Sequence, residues 1–81
     1  MGQMVNNQKK NRVLDIFYRA FKGEELSVSN LASEYEVSTK SITRDINEIK
    51  NFLADNRDVV GNSEFLYSYQ SKTYSLKFDH F

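Results

Sequence analysis

Cationic, amide and hydroxyl side chains recur between residues 38 and 51 of this chain at spacings that suit binding to a large polar ligand. Lysine and arginine can donate to O6 and N7 of guanine, and asparagine can pair with N6 and N7 of adenine. Serine and threonine hydroxyls can contact bases or phosphates. These side chains predict binding chemistry of the kind that reads duplex DNA. The candidate residues are Ser38, Thr39, Lys40, Ser41, Thr43, Arg44 and Asn47.

A helix over about residues 39–54 would place these side chains on one face. Apolar residues at steps of four, three and four fall within about 60° of arc on a helical wheel, which predicts a buried stripe. The stripe consists of Ile42, Ile46, Ile49 and Leu53. Lys40 and Arg44 lie on the opposite side, and Ser38 is a suitable N-cap. An ordinary solvated helix has the same polar composition, so helix 39–54 alone leaves that alternative open.

The neighbouring elements predict three helices followed by a hairpin. Helix 1 is expected over about residues 9–22 and ends before Gly23, and helix 2 over about residues 28–35 after the N-cap Ser27. Alternating apolar residues predict two strands over about residues 64–78, joined at Gln70–Lys72. Residues 1–8 are aperiodic and are expected to form a flexible arm ahead of a single domain at 9–81. The predicted fold class is therefore mainly α with a small β-hairpin (α+β).

The amino-acid composition limits the classes of function that we expect for this chain. The 81-residue chain contains no cysteine and one histidine, His80, so zinc fingers, thiol chemistry and transition-metal sites are not expected. It offers no nucleophile–base pair and no glycine-rich phosphate loop, which predicts a non-enzyme without a cofactor. No apolar run is long enough to span a bilayer, and we expect a cytoplasmic protein.

The net charge is zero, yet the charges are unevenly distributed along the chain. Residues 1–22 contain five Lys or Arg side chains and one Asp, whereas residues 23–37 contain four Glu and no cation. Lys9, Lys10 and Arg12 either grip a DNA backbone or form a solvated helix start. The acidic segment favours an alternative function, in which the domain contacts a protein.

The hairpin tip supplies two further candidates, Ser71 and Lys72. Lys72 either contacts phosphate or the minor groove, or belongs to an ordinary exposed tip. The nearby tyrosines, Tyr67, Tyr69 and Tyr74, are expected mostly to cover the core rather than to stack on bases.

Three segments resemble the N-terminal winged helix-turn-helix domain of DeoR-like and WYL-domain bacterial transcriptional regulators. They are Leu26–Ala32, the Val-Ser-Thr-Lys-Ser-Ile-Thr-Arg-Asp-Ile run at 37–46, and Tyr74-Ser75-Leu76. The resemblance implies that Lys40, Ser41 and Arg44 face the major groove and that Ser38 caps the helix and touches phosphate. It also implies that Asp45 is a structural partner near helix 1, and that the wing around Ser71 and Lys72 approaches the minor groove.

The chain departs from the family pattern at three places. Glu36 stands where the family often has glycine, Thr43 stands where a second arginine is common, and the wing tip lacks the usual glycine. These departures predict a weaker grip on the DNA backbone.

The sequence thus predicts sequence-specific binding of double-stranded DNA as the reading domain of a transcriptional regulator. A dimer on DNA and a C-terminal effector-sensing domain in a longer native chain are the expected partners. The alternatives are a protein-interaction module without DNA binding, or the regulatory head of a larger bifunctional enzyme.

Overall fold

The protein is described by a computed structural model, which covers residues 8–61 and 63–78. The helices are α1 (Gln8–Phe21), α2 (Val28–Tyr35), α3 (Thr39–Asp55) and the one-turn α4 (Arg57–Val60). The strands are β1 (Ser63–Ser68) and β2 (Thr73–Phe78). The arm predicted for residues 1–8 lies outside the described residues, except that Gln8 begins α1. The predicted class, mainly helical with a small antiparallel hairpin, is confirmed.

The short helix α4 was not predicted, because the polar cluster after residue 54 was interpreted only as the end of a helix. Asn56 ends α3: its backbone N–H and its side-chain amide both donate to the carbonyl of Phe52, at 3.0 and 2.8 Å. The carbonyl of Asn56 then accepts from the N–H groups of Val59 and Val60, both at 2.9 Å. These local bonds close a single turn that has no apolar periodicity to reveal it.

The core lies where α1, α2 and α3 meet the inner face of the hairpin. The predicted stripe of α3 is buried along its whole length, and Ile16 and Ala20 of α1 pack with it. Phe65 and Leu76 are cross-strand partners in the hairpin and close the core from that side. The buried apolar residues are Ile16, Ala20, Leu26, Leu31, Ala32, Ile42, Ile46, Ile49, Leu53, Phe65 and Leu76.

The hairpin is joined to the segment that precedes α2. Leu26 and Tyr74 form an antiparallel bridge in which each backbone N–H donates to the other residue's carbonyl at 2.8 Å. The order helix, bridge, helix, helix, hairpin is compatible with a winged helix-turn-helix layout. The bridge holds β2 beside the N-terminus of α2, and so sets the hairpin against the helices.

The turn of the hairpin begins one residue earlier than predicted. Ser68 pairs with Thr73, and residues 69–72 form the turn, so Tyr69 belongs to the turn and not to β1. Lys72 adopts φ 57°, and its N–H donates to the carbonyl of Ser68 at 2.7 Å. Because a left-handed residue reverses the chain here, the turn closes without a glycine.

Candidate nucleic-acid interface

The start of α3 is organised by the predicted N-cap. Ser38 has extended backbone angles, and its hydroxyl accepts from the Ser41 N–H at 3.1 Å while donating to the Ser41 hydroxyl at 3.1 Å. The capping function of Ser38 is therefore confirmed. The N–H groups of Thr39 and Lys40 in the same turn have no acceptor within the helix, as is general for a helix start.

The polar face of α3 is exposed as predicted. Thr39, Lys40, Thr43, Arg44 and Asn47 are all exposed, and Ser41 is half-buried beside its capping partner. We call these six residues, together with Ser38, the polar α3 face. Within the described part of the chain, neither Lys40 nor Arg44 forms an ion pair. Both cations therefore remain available to an anionic ligand.

Three of the four cations of α1 form ion pairs instead, namely Lys9, Arg12 and Arg19. Arg12 donates to both carboxylate oxygens of Asp45, through Nε to Oδ2 and through Nη2 to Oδ1 at 3.2 Å. Lys9 Nζ lies 3.7 Å from oxygens of both Asp45 and Glu48. Asp45 is thus the structural partner of helix 1 that the resemblance implied.

Burial removes Arg12 from the set of phosphate-binding candidates. Its side chain is only 12% exposed, and that of Asp45 is 0% exposed. The hydrogen bond that the Arg12 guanidinium donates to Asp45 raises the pKa of Arg12 above its ordinary value, with burial acting in the opposite direction. Of the three helix 1 cations considered for a backbone grip, Lys10 remains exposed without an ion pair among the described residues.

Arg19 forms a second charge cluster that joins α1 to α2. Its guanidinium lies 2.8 Å from the carboxylates of both Glu24 and Glu34, and donates to the Tyr35 hydroxyl at 3.2 Å. The hydrogen bond from Arg19 lowers the pKa of Glu24. Burial raises the pKa of Tyr35, and the hydrogen bond that its hydroxyl donates to Asp15 raises it further.

Together the two clusters determine which charges of this neutral protein are in ion pairs and which are not. Five carboxylates of the described residues are in ion pairs with only three cations, all on α1. Within the acidic segment 23–37, Glu24 and Glu34 share the single positive charge of Arg19, whereas Glu25 and Glu36 are outside these ion pairs. The positive charge of Lys40 and Arg44 is thus left without a compensating carboxylate on the polar α3 face.

At the wing tip the two predicted residues, Ser71 and Lys72, differ in their contacts. The Ser71 hydroxyl lies 2.7 Å from the Thr73 hydroxyl, and the Ser71 N–H donates to Ser68 Oγ at 3.3 Å, so Ser71 stabilises the turn itself. Lys72 is exposed and forms no ion pair with any described residue. The tip therefore offers one cation without an ion pair among the described residues, on a turn closed by hydrogen bonds.

Lys50 is a residue of this region that sequence reasoning missed. Its Nζ lies 5.2 Å from the ring centroid of Tyr74, which is a cation–π distance. Tyr67 contacts both Tyr74 and Tyr69, with ring centroids 4.8 and 4.9 Å apart. Lys50 follows Asn47 by one helical turn, and this spacing in the sequence indicates that the two residues lie on the same side of α3.

The expectation that the tyrosines cover the core holds only in part. Tyr74 is half-buried and packs on Phe65 at 6.1 Å, whereas Tyr69 is 85% exposed in the turn. The three rings form a continuous row from the core to the tip of the wing. Tyr67 and Tyr69 are therefore both exposed to solvent, at 39% and 85%.

Two other kinds of feature, a metal site and a membrane-spanning helix, were searched for in the part of the chain that the structure covers. Residues 8–61 and 63–78 contain no group of three His, Cys, Asp or Glu side chains placed to hold a metal ion. No helix within these ranges is both long and apolar enough to cross a membrane. Comparisons with protein-family models, with curated proteins and with solved structures found no match for this chain.

Proposed function

We propose that this protein binds double-stranded DNA in a sequence-specific manner and serves as the DNA-reading domain of a cytoplasmic transcriptional regulator of the DeoR-like or WYL-domain type. The observation that carries the proposal is the separation of charges. Lys40 and Arg44 are exposed and form no ion pair with any described residue, while Asp45 and Glu48, the acidic residues that follow them on α3, are paired with Arg12 and Lys9 of α1. A face of this composition is complementary to phosphates and to guanine edges.

In this proposal the N-terminal turns of α3 enter the major groove. Arg44 and Lys40 read guanine, Asn47 reads adenine, and the N–H groups at the start of α3 donate to a phosphate oxygen. Ser38 and Ser41 hold that turn in shape through their mutual hydrogen bond. Lys72 and the exposed tyrosine hydroxyls contact the backbone beside the site.

Because the proposed contact contains only three cations, Lys40, Arg44 and Lys72, we expect modest affinity for the single domain and a shallow dependence on salt. Each phosphate that is neutralised contributes about 0.9 to the slope of log K against log salt concentration. Lys72→Ala should reduce that slope by about one and weaken binding to all sequences alike. A loss confined to one base position would instead assign Lys72 to base reading.

The decisive experiment is selection of bound duplexes from a random pool at low salt, followed by titration of the best site. Arg44→Ala should weaken binding to that site by about 1–3 kcal/mol and relax the preference at one base pair. Arg57→Ala is the matched control, since Arg57 is an exposed cation of α4, beyond the C-terminal end of α3. Equal effects of the two variants would contradict the assignment of the polar α3 face.

The alternative is a protein-interaction module without DNA binding. Its main argument was the acidic segment 23–37, and that argument is weaker now that Arg19 is seen to hold Glu24 and Glu34. Selection that recovers no duplex above background at low salt would favour this alternative.

A further inference from the structure

The aromatic side chains of the hairpin become more exposed toward its tip. Phe65, Tyr67 and Tyr69 are 9%, 39% and 85% exposed. Phe65 and Tyr67 lie on the same face of β1, since alternate residues of a strand share a face, and Tyr69 follows in the turn. We call Tyr67, Tyr69 and Tyr74 the tyrosine row. It begins where the hairpin closes the core and ends in solvent.

The three rings of the tyrosine row differ in how much of their surface is already covered. Tyr74 packs on Phe65, and Lys50 Nζ lies 5.2 Å from its ring centroid. Tyr67 lies between the other two rings, 4.8 Å from Tyr74 and 4.9 Å from Tyr69. The planes of Tyr67 and Tyr69 are inclined by 81°, so one ring meets the other with its edge. Tyr69 therefore keeps at least one face of its ring open.

The turn does not depend on a tyrosine at position 69. It is closed by the N–H groups of Lys72 and Ser71, which donate to the carbonyl and the hydroxyl of Ser68 at 2.7 and 3.3 Å. Small polar residues and glycine predominate in turns, because they favour the reversal of the chain. The large ring of Tyr69 contributes to neither bond, and it is available for a contact outside the domain.

The residues around this ring favour a nucleic acid as the ligand. Residues 65–74 contain one charged side chain, Lys72, and no carboxylate. Lys72 belongs to the same turn as Tyr69 and forms no ion pair with any described residue. Proteins that bind unpaired bases combine these two features: an aromatic ring stacks on the base, and cations hold the phosphates.

The tyrosine row is connected to the polar α3 face. Lys50 is exposed one helical turn beyond Asn47, and it is the residue of α3 that lies over Tyr74. From Tyr74 the ring contacts continue through Tyr67 to Tyr69. A DNA strand that leaves the polar α3 face can therefore pass along the row to the tip of the hairpin.

We infer that Tyr69 stacks on an unpaired nucleobase, so that the protein binds best where a single-stranded segment adjoins the duplex held by α3. Bases inside an intact duplex are already stacked on both faces, and only an unpaired base can receive the Tyr69 ring. In this arrangement Tyr67 supports the Tyr69 ring, and Lys72 binds a phosphate of the single strand. The inference rests on the proposed function for the duplex part of the ligand.

The test compares three fluorescently labelled probes at low salt by anisotropy. They are a fully paired duplex of unselected sequence, the same duplex with a central bubble of about six thymine–thymine mismatches, and a thymidine oligomer of about twelve nucleotides. The complete chain should bind the bubbled duplex about tenfold more tightly than the paired one, since stacking of one base on an aromatic side chain is worth about that much.

Substitutions at Tyr69 test whether its ring is responsible. Tyr69→Ser should bring the ratio of the two dissociation constants close to one, whereas Tyr69→Phe keeps the ring and should keep the ratio. The ratio cancels any contact of the hydroxyl with the backbone that both probes share. Tyr18→Ser is the matched control, because Tyr18 is also an exposed tyrosine, at 59%, but lies on α1. Circular dichroism verifies that each variant is folded.

NMR of the tyrosine rings distinguishes stacking from attraction by charge alone. Addition of the thymidine oligomer should shift the ring-proton signals of Tyr69 and leave those of Tyr18 in place. Unchanged Tyr69 signals in the presence of bound oligomer would contradict stacking.

The outcomes separate this inference from the proposed function. Equal binding of the paired and bubbled duplexes would overturn the inference and leave the proposed function standing, as would a preference for the bubble that Tyr69→Ser retains. If the paired duplex is not bound, here or in the selection, the proposed function fails and the thymidine oligomer decides the inference. Binding of the oligomer that is lost in Tyr69→Ser would support stacking. No binding, or binding that this variant retains, would overturn it.

Discussion

Asp45 of α3 lies fully buried against Arg12 of α1, and the guanidinium donates to both of its carboxylate oxygens. Asp45 directly follows Arg44, which points to solvent on the polar α3 face. The ion pair therefore fixes the rotation of α3 about its own axis, and with it the direction in which Arg44 projects. A structural contact and a candidate binding residue are adjacent in sequence.

Removing the charge of Asp45 should be strongly destabilising. Breaking one partner of a buried ion pair costs about 3–5 kcal/mol, because the other charge is left in the interior without compensation. For a domain of this size that is a large fraction of the free energy of unfolding. We expect urea unfolding of Asp45→Asn, followed by circular dichroism, to show this loss in the free energy of unfolding. Glu48→Gln is the control: its exposed pair with Lys9 should cost less than about 1 kcal/mol. Similar stabilities for the two variants would contradict a structural role for the Arg12–Asp45 pair.

Ser38→Ala should lower stability through the loss of the N-cap of α3. The Ser38 hydroxyl satisfies the Ser41 N–H, and the loss of such a cap costs about 1 kcal/mol. In a domain of this length that corresponds to a drop of about 4–8 °C in the melting temperature. Ser29→Ala removes an equivalent hydroxyl from an exposed position within α2 and should leave the melting temperature unchanged or slightly higher. Calorimetry on both variants separates capping from simple loss of a hydroxyl.

Glu36→Gly should stabilise the protein. Glu36 ends α2 with φ 59° and ψ 47°, a left-handed conformation that costs about 1 kcal/mol for a residue with a Cβ atom. Glycine adopts it freely, and we expect a gain of about 0.5–1 kcal/mol in the free energy of unfolding. Ser33→Gly, within α2, should lower the free energy of unfolding, because glycine destabilises a helix interior by about the same amount. A loss of stability in Glu36→Gly would mean that the Glu36 side chain has a stabilising contact.

The free energy of unfolding should fall as the solution is acidified from about pH 6 to pH 3. Arg19 holds the pKa of Glu24 below its ordinary value of 4.5, so the folded state binds this proton less tightly than the unfolded chain. The stabilisation is complete above that ordinary value and is lost as pH falls through the lower pKa of the folded state. Glu24→Gln should therefore show a smaller decline, measured by urea unfolding at a series of pH values. Glu25→Gln removes the same charge from the neighbouring residue, which forms no ion pair with any described residue, and should decline as wild type does.

Local patterns were enough to predict most of the elements. The stripe Ile42, Ile46, Ile49 and Leu53 is buried because helical spacing alone puts these residues on one side of α3. Ser27 and Ser38 begin their helices because each hydroxyl accepts a bond from an N–H three residues further along the chain. Such features depend only on sequence neighbours, and the outward direction of Lys40 and Arg44 follows from the same periodicity.

Two features that depend on backbone hydrogen bonds, and not on an apolar repeat in the sequence, were not predicted correctly. The helix α4 rests on the carbonyl of Asn56, and the turn at 69–72 rests on the left-handed conformation of Lys72. Neither leaves an apolar pattern in the sequence. Elsewhere the predicted boundaries of α1, α3 and β1 differ from the observed ones by one residue.

The sequence by itself determined which apolar residues of α3 are buried, where α2 and α3 begin, and that a hairpin follows. Only the tertiary structure decided which charges are free. Arg12 and Asp45 are 33 positions apart, and Arg19 and Glu34 are 15 apart, so their pairing depends on how the helices pack. That packing places five carboxylates on the cations of α1 and leaves Lys40 and Arg44 without a partner among the described residues, which no count of charges along the chain could reveal.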